Sequence, residues 1–164
     1  RQLLDFPDVK VMNIEPALLQ KIADGKEGGR LRVGVTHFVP ARIMGSGLGA
    51  SHTYRGDYDI QMFDKETVRE FHLDTLRFGD IVAIIDADHS YGRIYKKGAI
   101  SVGVVIHSDC VVSGHGPGVT TILTSSKGEI EPYIEANANI GYYLKIGRWR
   151  EKGKARKSKR KGKE

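Results

Sequence analysis

Residues 81–85, Ile-Val-Ala-Ile-Ile, are apolar at every position. A strand with one wet face needs only alternate apolar residues, so an unbroken run requires cover on both faces and predicts a central strand. Residues 99–106 read as a second two-faced strand and residues 119–124 as a third. Three such strands cannot be met by a helical bundle. With β-branched enrichment, twenty glycines and only brief helical stretches, they predict a mainly β domain of barrel or sandwich type with short helices. An α+β arrangement stays open.

The remaining elements follow from local signals. Val9, Val11 and Asn13 begin an extended stretch, and Pro16 suits the first turn of a short helix carrying Leu18, Leu19 and Ile22, which residues 25–29 end. Leu31, Val33, Val35 and His37 alternate with Arg32, Gly34, Thr36 and Phe38, giving a strand by period two that stops at Val39-Pro40. Asp64 is placed to cap a short helix over residues 64–71. Residues 140–146, with Tyr142, Leu144 and Ile146 on one side, read as a closing strand.

Charge divides the chain. The formal net charge is +6, but residues 148–164 hold ten Lys or Arg against Glu151 and Glu164, leaving the body at −2. Residues 1–147 are therefore expected to form one slightly acidic β-rich domain, and residues 148–164 a basic, disordered tail. Such a tail would meet nucleic acid weakly and without base preference, through screened charge. The single cysteine, Cys110, excludes an internal disulfide framework and fits a cytoplasmic protein. With Val111-Val112 making its surroundings apolar, and the adjacent Asp109 facing the opposite side of a strand, it reads as a buried small residue. No run approaches the roughly 18 apolar residues of a membrane helix. The start at Arg1, already inside an apolar connector, reads as a fragment or a processed product.

Polar chemistry concentrates between residues 86 and 118. Asp86 and His89 follow the first two-faced strand; His107 and Asp109 follow the second, where a persisting extension would align Val105, His107 and Asp109 on one face. If the two exits lie together, Asp86, His89, His107 and Asp109 form a divalent-metal site. Its mixed nitrogen and oxygen donors suit Zn²⁺, Mn²⁺ or Fe²⁺ better than Ca²⁺. A metal-free acid–base pair of His107 and Asp109 is equally allowed, and so are two hydrogen-bonded turns built from ordinary turn formers.

The loop Gly114-His115-Gly116-Pro117-Gly118 lets backbone approach a ligand, with Gly114, Gly116, Gly118 and Thr120 as candidate binding residues and His115 as a catalytic candidate beside His107 and Asp109. Its alternative is a tight corner. Residues 45–50 fit a dinucleotide-binding spacing, but no helical stripe follows, so a plain loop is expected. Asp57 and Asp59 would share a face, either completing a cation site or solvating an edge strand; the edge strand is the expectation.

Residues 76–89, 103–109 and 113–121, with 8–13 and 58–60, resemble the prokaryotic domain-of-unknown-function family numbered four-four-three-eight, over nearly the whole body. The resemblance implies a β-rich fold and a further β domain preceding this region. It implies no activity, and the lysine-rich tail departs from it.

The functional expectation is a small-molecule site of metal-dependent or acid–base hydrolase type, acting on a small amide or ester. The alternative is a non-catalytic β-rich ligand-binding or assembly module, a homo-oligomer included. The partner expected is a small molecule rather than a membrane.

Overall fold

The computed structural model describes residues 2–47, 49–107 and 115–150. The strands are β1 (Gln2–Leu3), β2 (Phe6–Val11), β3 (Ala23–Glu27), β4 (Arg30–Val35), β5 (His37–Pro40), β6 (Tyr58–Asp59), β7 (Ile81–Asp88), β8 (Ile94–His107), β9 (Gly118–Ser125) and β10 (Ile130–Ile134). The helices are α1 (Pro16–Ile22), α2 (Lys65–Glu70) and α3 (Ile140–Leu144). The fold is mainly β, in two mixed sheets that do not close into a barrel. The large sheet runs β1-β2-β9-β8-β7-β5, with β6 added on β9; the small one runs β10-β4-β3.

The two-faced strand sits where its composition demands. In β7, Ile81 and Ala83 join a core with Val33, Val35, Val102 and Ile130, beneath the small sheet, while Val82 and Ile84 join a second core with Val39, Tyr58, Ile60 and Leu73. Adjacent strand residues point to opposite faces, so alternate residues of one strand supply two cores. The large sheet is thereby covered on both sides at β7.

Three expectations are corrected. Residues 25–29 do not end α1 as a loop; they lie in a hairpin, with β3 antiparallel to β4 and Gly28 and Gly29 at the turn. The alternating stretch of residues 31–40 is two strands, because the chain leaves the small sheet at Val35 and enters the large one at His37, parallel to β7. Residues 140–146 do not form a strand. Asn139 caps α3 there, its side-chain oxygen accepting from the Gly141 N–H at 2.8 Å. The Asp64 cap is found as expected, accepting from the N–H groups of Glu66 and Thr67.

Candidate functional site

β9 lies between β8 and β6, and its first residue, Gly118, pairs with His107 on one side and Asp59 on the other. One step inward, Val119 pairs with Val105 and Tyr58. Two steps along β8 thus match one along β9, which is a bulge between Val105 and His107. That bulge re-aims the imidazole. Instead of continuing the face of Val105, His107 joins the row of Gly118 and Asp59, opposite the face that Tyr58, Val105 and Val119 give to the second core. β8 does extend through His107, but the bulge breaks the alignment of His107 with Val105 that an even extension would give.

Along this row the side chains meet. The Nε2 of His107 bonds the Oδ2 of Asp57 and lies 3.4 Å from the Oδ1 of Asp59. The Nδ1 of His115 lies 3.1 Å from the other oxygen of Asp59. One donor atom from each of Asp57, Asp59 and His107 falls within 4.8 Å of the others, a grouping able to hold a metal ion. Asp59 is nearly buried, whereas His107 and His115 are well exposed on their solvent side. Burial pushes the Asp59 carboxyl above the usual carboxylate range, and the charge of Asp57 adds to the shift, while His107 and His115 pull it back. Two acids held together with one desolvated favour a cation between them.

The glycines at 116 and 118 serve this packing directly. A Cβ on Gly118 would overlap the His107 ring and the Asp57 carboxylate, and a Cβ on Gly116 would overlap the Ile60 carbonyl. Their bareness admits protein groups of the site itself, where a ligand had been expected. Thr120, two residues after Gly118 in β9, shares its face one row further in. The loop that delivers Asp57 is fastened from beneath by Arg93, which is buried. Its guanidinium donates to the carbonyls of Gly47 at 3.4 Å and Arg55 at 3.0 Å, and its backbone exchanges bonds with Gly49 and Ala50. Gly47, Gly49 and Ala50 are accordingly pinned to Arg93, and no helix follows them as a nucleotide turn would require.

Asp86 and His89 do not join His107. β7 and β8 form an antiparallel hairpin, so the exit of β7 lies at the entry of β8 and the exit of β8 at the opposite end of the sheet. Asp86 accepts from the Gly98 N–H at 2.8 Å, and Gly98 precedes His107 by nine residues of one strand, about 30 Å at strand rise. Asp86 also has φ +62 at the β7 bulge, a turn conformation that Asp tolerates. His89 is fully buried on the other face. Its Nδ1 is 2.7 Å from the Thr121 hydroxyl, its backbone N–H reaches Thr124 at 3.0 Å, and its ring packs edge-on to Tyr58 at 5.2 Å. Burial, then the charge of Arg93, lowers its pKa to about 4, so it is neutral and structural. The expectation of four converging groups therefore gives way to a different set. His107 is common to both, Asp57 and Asp59 replace Asp86 and His89, and His115 enters through Asp59. Asp109, Cys110 and Gly114 lie outside the described residues, as does the tail from residue 151.

Sequence comparison matches residues 21–144 to a family model described as domain of unknown function (DUF4438), C-terminal. No curated protein matches the chain. Among solved structures, the crystal structure of TM1086 is similar at 48% identity and a TM-score of 0.79, with 87% of this chain and 50% of that one aligned. The chain thus spans half the length of that relative. With the family model covering three quarters of its residues, the chain belongs to the DUF4438 family and matches its C-terminal domain.

Proposed function

We propose that this domain binds a divalent transition-metal ion through Asp57, Asp59 and His107 and hydrolyses a small amide or ester there. The observation that carries the reading is the grouping of two carboxylates and an imidazole within 4.8 Å, brought from the start of β6 and the end of β8 onto one glycine of β9. One nitrogen and two oxygen donors suit Zn²⁺, Mn²⁺ or Fe²⁺. Three protein ligands leave positions open for water and substrate, as catalytic rather than structural sites do. An ion held there would supply an acidified water and polarise a carbonyl. The chain's own groups do the rest. His115 holds the outer oxygen of Asp59 and so orients the inner one, while the exposed side of the His107 and His115 rings leaves room for a small ligand.

The test is elemental analysis and calorimetric titration of metal-stripped protein with Zn²⁺ and Mn²⁺, beside Asp59→Asn and His107→Ala. One ion per chain, lost in both variants, supports the reading. Protein that takes up no ion under any of these conditions overturns it. Metal-dependent release of p-nitrophenol from p-nitrophenyl acetate or p-nitrophenyl hexanoate then separates a hydrolase from a binding module.

A further inference from the structure

Beside this group lies a cleft of about 420 Å³, within the range of roughly 300–1,000 Å³ common for small-molecule sites. Met62, Leu73, Leu76, Phe78, Val105 and Pro117 give it an apolar lining, and His107 is part of its wall. His107, the last residue of β8, therefore stands at the end of the sheet, between the carboxylate group on one face and the cleft on the other. Leu73 and Val105 form a buried floor, whereas Phe78 is 64% exposed at the rim. An aromatic ring left that open beside a polar group is what an amphipathic ligand would cover.

The charges of the lining narrow the ligand class. Arg77 is committed: its guanidinium pairs with the fully buried Asp80 at 3.0 Å and donates to the Ala136 carbonyl at 2.8 Å. Asp80 is in turn held by Asn139, which also donates to the Phe78 carbonyl at 2.8 Å and so fixes the rim. His107 is engaged by Asp57. Among the described residues of the lining no cationic side chain is left for an anionic arm, and Asp74 on the wall would repel one.

We propose that this cleft receives an uncharged apolar arm of the ligand, with a carbonyl-bearing head reaching the Asp57–Asp59–His107 group. The ligand class is then a medium-chain or aryl acyl compound rather than an acetyl one or a diacid. The inference rests on the metal reading above, and the experiment keeps their failures apart.

The probes are acetohydroxamate and hexanohydroxamate, whose identical heads chelate metal and whose arms differ by methylenes alone. Calorimetry on Zn²⁺-loaded protein should show hexanohydroxamate binding about tenfold tighter or more, since each methylene withdrawn from water favours binding while part of the arm stays wet. Met62→Trp and Leu76→Trp, each filling the cleft at a partly buried position, should bring hexanohydroxamate down to the acetohydroxamate level. Thermal unfolding checks that each variant is folded, and either one suffices. Equal affinity of the two probes for the parent overturns the cleft assignment and leaves the metal reading standing. A chain-length preference that survives both variants also overturns it, by placing the arm elsewhere. Failure of either probe to bind, with no metal taken up, overturns both readings together.

Discussion

His107 and Asp59 face each other across Gly118, nitrogen to oxygen 3.4 Å apart, although 48 positions separate them in the chain. The relationship depends on an absent side chain. Gly118→Ala should therefore damage the site more than a methyl group would suggest. The added Cβ would overlap both the His107 ring and the Asp57 carboxylate, and overpacking of this kind costs about 1–3 kcal/mol. Urea unfolding should show that loss, and Zn²⁺ titration a metal affinity at least about tenfold weaker, because the donors must separate. Unchanged affinity would mean that the three groups do not act as one site.

The core strands were legible because their evidence is local. Residues 81–85 need cover on two faces whatever the topology, and β7 has it. The site was legible only in parts. His107, His115 and the Asp57/Asp59 pair each stood out by type, but their meeting depends on β6 pairing with β9 and on one extra residue in β8, neither of which leaves a periodic trace. Asp86 was misplaced because the strands are longer than their apolar runs. Between residues 85 and 99 the sequence leaves room for a crossover, but β7 runs on to Asp88 and β8 starts at Ile94, so only residues 89–93 join them and the two C-terminal exits lie apart. Residues 140–146 misled for another reason: their apolar positions fit either period, and the Asn139 cap decided for a helix.

His115 bonds Asp59 and stands outside the metal grouping of Asp57, Asp59 and His107, which makes it a positioning residue. His115→Ala should leave one ion per chain but weaken its affinity about 10–100-fold, the usual effect of removing an outer partner that orients a ligand. Isothermal titration with Mn²⁺ would measure this. Loss of the ion altogether would promote His115 to a direct ligand.

Asp86 gives the opposite expectation. Asp86→Ala removes the acceptor of the Gly98 N–H and leaves an alanine at φ +62, so stability should fall by about 1–2 kcal/mol while metal stoichiometry and affinity stay at the parent value. Asp86→Asn retains an acceptor and the tolerance for that conformation, and should lose less. A metal affinity that drops with either substitution would contradict the separation set by the hairpin register.

His89 should make the fold acid-sensitive independently of the metal. Its ring is enclosed, neutral, bonded to Thr121 and packed on Tyr58, and its pKa falls from 6.5 to about 4 because burial, and then Arg93, oppose the charged form. Between those values the unfolded chain binds more protons than the folded one, so stability rises with pH across this window. The contribution is complete above about pH 6.5 and is lost as pH falls towards about 4. Each tenfold loss of proton affinity on folding is worth about 1.4 kcal/mol, so the contribution reaches roughly 3 kcal/mol at most. His89→Gln keeps a polar side chain of similar reach but cannot titrate here. Urea midpoints of parent and variant, compared from about pH 7.5 to about pH 4.5, should therefore converge as the parent alone loses this contribution, while groups common to both cancel. Parallel curves would show that the ring is not buried in its neutral form.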